Sequence, residues 1–109
     1  TLYNLKVLKA LRKMSNKSRR KFLKSCDGRV INSLSEVCQN LLQGRIKMSE
    51  QQIRKLKRHR KSIRAVGCRR NSLQKRRKII SQTGGFLGAL IGPLVTGLSS
   101  LVGGLFNRN

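Results

Sequence analysis

At 109 residues the chain has room for one small domain and an appendage. Its 26 Lys and Arg stand against three acids, a formal charge of +23, so a compact body repels itself until a polyanion covers it. Three carboxylates, one His and no Gly-rich strand-to-helix turn leave no acid–base pair, nucleophile relay or phosphate loop, so no enzymatic activity is expected.

From Leu2 the apolar residues Leu5, Leu8, Leu11 and Met14 recur every three positions, with Lys6, Lys9, Arg12 and Lys13 on other faces. This spacing predicts a short amphipathic helix. Ser15, Asn16 and Ser18 interrupt it and offer caps for a second helix carrying Arg19 to Lys24, with Phe22 and Leu23 as its core contacts. Next, Asp27 is a candidate N-cap for the clearest element. Val30, Ile31, Leu34, Val37, Cys38, Leu41 and Leu42 line one helical face there, and Gly44 ends it. Only Arg29 brings positive charge to this stretch, so residues 27–43 read as the central core helix rather than a phosphate-binding one.

Ser49 and Gln52 form a capping box, with Met48 placed to staple onto Ile53. The helix they open is expected to run to Val66 and stop at Gly67, burying Ile53, Leu56, Ile63 and Val66. Arg54, Lys55, Lys57, Arg58, Arg60, Lys61 and Arg64 surround that face with almost no acid to balance them. Polyanion contact explains such a face better than solvation alone. A turn holding Arg69, Arg70 and the cap Ser72 leads to a last helix from Leu73 to Ile80, with Arg77 expected to turn its stem inward. The run Lys75, Arg76, Arg77 and Lys78 then forms a basic clamp, and it resembles a nuclear import signal.

All but Arg108 of the cations lie at or before Lys78, and residues 79–107 carry no charge at all. The stretch 84–106 would be about 35 Å long as a helix, enough for a hydrocarbon core of roughly 30 Å. Small residues Gly84, Gly88, Gly92, Thr96, Ser100 and Gly104 recur every four positions beside Phe86, Leu87, Leu90, Ile91, Leu94, Leu98 and Leu101. Such a stripe lets helices approach closely. Pro93 should kink the segment near Gly92. The pattern leaves three roles open: entry into a membrane, with the clamp on anionic lipid, packing on protein, including copies of itself, or a flexible Gly-rich arm.

Cys26, Cys38 and Cys68 form no CxxC, and His59 is the single His, so neither a metal nor any other cofactor is expected. Cys38 belongs to the core stripe; a Cys26–Cys68 pair is one reading of the other two, and reduced thiols are the simpler one. Leu2 to Met14 is broken by four cations and does not read as a secretion signal. Tyr3, Phe22, Phe86 and Phe106 are the only aromatics, which disfavours base stacking and points to phosphate contact without sequence preference.

A Lys/Arg-dense body, the junction Thr83, Gly84, Gly85, Phe86, Leu87, Gly88 and an apolar tail together resemble a known arrangement. It is similar to the precursor of the small adenovirus core protein X, or mu. It resembles more closely, over nearly the whole chain, the small basic proteins of Maverick/Polinton elements and adintoviruses. The resemblance implies a virion-associated protein of a double-stranded DNA virus, in the core or on the inner capsid. It also implies a site for an adenovirus-type cysteine protease at Gly84 and Gly85, although Gln82 stands where such sites carry a large apolar residue. The helix-core periodicity of the body departs from the arginine-dense adenovirus segment.

Taken together, the expectation is an all-α protein: a bundle of four or five short helices over residues 1–82, then a Gly-rich helical tail over 83–109. The expected function is non-enzymatic condensation of duplex DNA in the virion core through Arg54, Lys55, Lys57, Arg58, Lys61, Arg64, Arg69, Arg70 and the Lys75–Lys78 clamp. The tail would attach to capsid protein or membrane. The alternatives are a minor capsid protein on the inner capsid surface and a membrane-disrupting entry protein. The expected locations are the virion and, during assembly, the host nucleus or cytosol.

Overall fold

The computed structural model describes residues 2–46, 48–82 and 91. They form six helices, with no strand among the described residues: α1 Leu2–Arg12, α2 Asn16–Ser25, α3 Gly28–Leu42, α4 Glu50–Lys57, α5 Arg60–Gly67 and α6 Leu73–Gln82. The all-α bundle expected from the periodicity is thus present. The Pro93 kink, the Gly84–Gly85 junction and every tail residue but Ile91 lie outside the described residues.

Helix ends fall where local chemistry sets them. Ser15 caps α2 by accepting from Ser18 N–H, and Asp27 caps α3 by accepting from Arg29 N–H at 2.9 Å. Gly44 adopts φ 70° after α3, where its N–H bonds to Leu41 O and Arg45 N–H to Asn40 O, the paired closure of a Schellman turn. Both arms of the Ser49–Gln52 capping box are formed.

One expected element is divided. The helix opened at Ser49 does not run through to Val66 but breaks at Arg58 and His59, giving α4 and α5. In an unbroken helix Arg54, Lys57, Arg58 and Lys61 would be like-charge neighbours three and four positions apart, each pair unfavourable. No apolar residue between Leu56 and Ile63 anchors the middle against that repulsion. Ile53 is consequently 43% exposed instead of inward, while Leu56 leans on the bundle at 5%.

α3 is the central strut, packing on α1, α5 and α6, and α2 packs on α6. The core comprises Leu5, Leu8, Leu11, Leu23, Ile31, Leu34, Val37, Cys38, Ile63, Val66 and Ile80 among others. Burial of each large aliphatic side chain stabilises by about 1.5–3 kcal/mol. Leu23 faces inward as expected, whereas Phe22 and Leu42 are exposed. At Gly67 an added Cβ would stand 3.3 Å from Leu42 Cδ1, so α5 approaches α3 closely there, and Gln39 Nε2 donates to Gly67 O across the same contact. Ile91, the one described residue of the tail, is helical and only 2% exposed within the core cluster.

Candidate polyanion interface

With three acids in the chain, cations cannot be neutralised by carboxylates, and the fold sorts them into two groups. Every described Lys and Arg is exposed except Arg19, Arg76 and Arg77. Those three arginines are satisfied by carbonyls, amides, a hydroxyl and a thiol.

Arg19 closes the end of α1. Its Nε donates to Leu11 O at 3.0 Å, Nη2 to Met14 O at 2.9 Å and Nη1 to Asn16 Oδ1 at 2.9 Å. A helix terminus leaves such carbonyls unpaired, and its partial negative charge favours a cation. Arg76 ties α6 to α3 and to the preceding turn. Its Nη1 donates to Ser35 Oγ at 2.7 Å and Asn32 Oδ1 at 3.0 Å, and Nε to Asn71 O at 3.1 Å. Burial, with Arg69 nearby as a like charge, lowers the pKa of this guanidinium. Arg77 reaches the end of α2, donating from Nη1 to Leu23 O at 2.9 Å and Cys26 Sγ at 3.5 Å. Burial raises the Cys26 pKa, and the bond from Arg77 opposes that rise.

This sorting corrects the expected phosphate set at one position. Arg76 is buried and committed to internal acceptors, so it is removed from the outward clamp. Arg77 is half-buried and lines a groove. Arg54, Lys55 and Lys57 on α4, Arg58 in the break, Lys61 and Arg64 on α5, Arg69 and Arg70 in the turn, and Lys75 and Lys78 on α6 are all exposed. Because α5 and α6 pack together, their cations occupy neighbouring helices.

Sequence reading missed the contribution of α2. Arg20 and Lys24 join Arg77 and Lys78 around a groove of about 500 Å³ between α2 and α6. The available signal was their spacing of four, which places both on one face of a helix.

Chemically, the exposed cations offer charge-assisted hydrogen bonds to phosphate oxygens at many points. Tyr3, one of two described aromatics, lies under the Arg29 guanidinium, whose carbon is 4.9 Å from the ring centroid. Phe22 lines a smaller apolar recess of about 200 Å³ with Val7, Ala10, Leu11 and Val30. All three cysteines are free thiols. Among the described residues no group of three His, Cys, Asp or Glu is placed to hold a metal, and no helix is long and apolar enough to cross a membrane. In comparisons with family models, curated proteins and solved structures, nothing matches this chain.

Proposed function

We propose that the chain is a non-enzymatic virion core protein that binds and condenses duplex DNA without sequence preference. The observation that carries this reading is the separation of its cations. Arg19 and Arg76 are spent on structure and Arg77 is anchored through one nitrogen, while every other described Lys and Arg is presented to solvent with three acids in the whole chain to offset them. A soluble face with no polyanion partner would mix its charges, since like-charged neighbours cost stability. Phosphates relieve that cost, and releasing their counterions drives binding.

Duplex DNA carries a charge every 1.7 Å or so of axis, so about 23 phosphates, or roughly 12 base pairs, balance one chain. The helices act as a scaffold that spreads charge over several short, differently directed elements. That arrangement suits neutralising and bridging segments of duplex better than reading one groove. The apolar tail would attach the complex to capsid protein or membrane, and the burial of Ile91 in the body supports packing on protein at that residue.

The test is binding to random-sequence duplex across a salt series. Engagement of ten phosphates gives a log–log slope of about −9, shared by unrelated sequences. A slope near zero, or strong preference for one sequence, overturns the reading. Stoichiometric capture of capsid protein that persists after nuclease treatment would instead favour a minor capsid protein.

A further inference from the structure

The groove between α2 and α6, at about 500 Å³, falls within the roughly 300–1,000 Å³ typical of small-ligand sites. Arg20 and Lys24 line one wall, and Gln74, Arg77, Lys78 and Ser81 the other. Four cations, the amides of Gln74 and Gln82 and one hydroxyl line the recess, and none of its lining residues is a carboxylate.

Arg77 gives the recess its geometry. Both of its hydrogen bonds leave from Nη1, to Leu23 O and Cys26 Sγ, and so hold the guanidinium against the last turn of α2. The Nε–Nη2 edge is the part left for a ligand. That edge is a planar pair of parallel donors, which matches two oxygens of a phosphate bidentately in a way that Lys cannot. An arginine anchored on one edge by the fold is also pre-organised, so it gives up less side-chain freedom on binding.

We infer that this groove binds a compact polyphosphate, two or three linked phosphoryl groups gripped by Arg77 and neutralised by Arg20, Lys24 and Lys78. A single phosphate carries about −2 at most and would leave much of the recess and its charge unused. A duplex backbone lies on a convex cylinder, meets exposed side chains and does not enter a gap between helices packed about 8–10 Å apart. The ligand class is thus a small soluble polyanion with linked phosphates, such as tripolyphosphate or the triphosphate of a nucleotide. This goes beyond the DNA reading and does not depend on it.

The experiment is isothermal titration of the full chain with inorganic tripolyphosphate at 0.15 M salt, beside titrations with duplex DNA. One saturable site per chain is expected. Arg20→Gln with Lys24→Gln should weaken it about tenfold or more, as expected on losing charge-assisted bonds. Lys55→Gln with Lys57→Gln, an equal loss of charge on α4, should weaken it less than about twofold if the site is localised, since exposed charges beyond a Debye length are screened. Arg77→Lys, with unchanged circular dichroism, should match the first pair, because it keeps the charge and loses the fork. Several tripolyphosphates per chain, or equal losses in the two Gln pairs, would indicate diffuse attraction and overturn the site. Absence of tripolyphosphate binding alongside a steep DNA salt slope overturns the groove alone, leaving the DNA reading standing.

Discussion

Arg76 on α6 donates to Ser35 Oγ on α3 across 2.7 Å, joining two residues 41 positions apart in the interior. A cation is thereby built into the centre of a protein that already carries +23. Its hydrogen-bond partners are neutral oxygens, which compensate burial only while their geometry is kept.

Removing the guanidinium should therefore destabilise the protein rather than weaken the proposed DNA binding. Arg76→Ala leaves Ser35, Asn32 and the Asn71 carbonyl without their donor, and a cost of about 1–3 kcal/mol is expected. Arg58→Ala, at an exposed position in the α4–α5 break, should leave stability within about 0.5 kcal/mol. It should also reduce the magnitude of the log–log salt slope by about 0.9. Thermal denaturation and salt-dependent DNA binding, measured on both variants, separate the two roles.

Ile91 tests whether the tail belongs to the body. Its 2% exposure within the core cluster predicts that Ile91→Ala costs about 2–5 kcal/mol, the usual range for such a deletion. Chemical denaturation of the full chain measures it. A cost under about 0.5 kcal/mol would mean that the tail leaves the core intact when it is elsewhere.

The bundle was legible because its signals are local. Asp27, Ser49 with Gln52, and Gly44 are end markers whose chemistry acts within five residues, and all function as the sequence implied. The stripe from Ile31 to Cys38 marked the core for the same reason. What escaped was decided across the fold. Nothing local distinguishes Arg76 from Lys75, but the first meets Asn32 and Ser35 while the second faces water. The break at Arg58 and His59 depends on accumulated repulsion and a missing anchor, whereas the spacing of Ile53, Leu56, Ile63 and Val66 on one face implies an unbroken helix. The groove formed by Arg20 and Lys24 required knowing that α2 packs on α6.

Cys38 sets an alkaline limit. Burial pushes its thiol from an ordinary value of 9.0 up to about 12. Between those values the unfolded chain loses a proton that the native protein keeps. The thiol's contribution is complete below pH 9 and then falls by about 1.4 kcal/mol per pH unit, diminishing towards pH 12. Comparing wild type with Cys38→Ala isolates the effect from lysine titration. Their stability difference should shrink between pH 8.5 and 10, as followed by urea denaturation at each pH.

The like-charged face of α5 should set stability and the proposed DNA binding against one another. Lys61→Glu places a carboxylate three residues before Arg64 within α5, replacing a repulsive pair with an attractive one. A helical pair at this spacing is worth about 0.2–0.5 kcal/mol in either direction, so exchanging repulsion for attraction should stabilise the free protein by up to roughly 1 kcal/mol. On duplex DNA the same change removes one phosphate contact, lowering the slope magnitude by about 0.9, and the added negative charge further weakens affinity. Denaturation in low salt, paired with binding across the salt series, measures the two shifts. A variant that becomes more stable and binds DNA as tightly as before would break the proposed link between the exposed cations and phosphate.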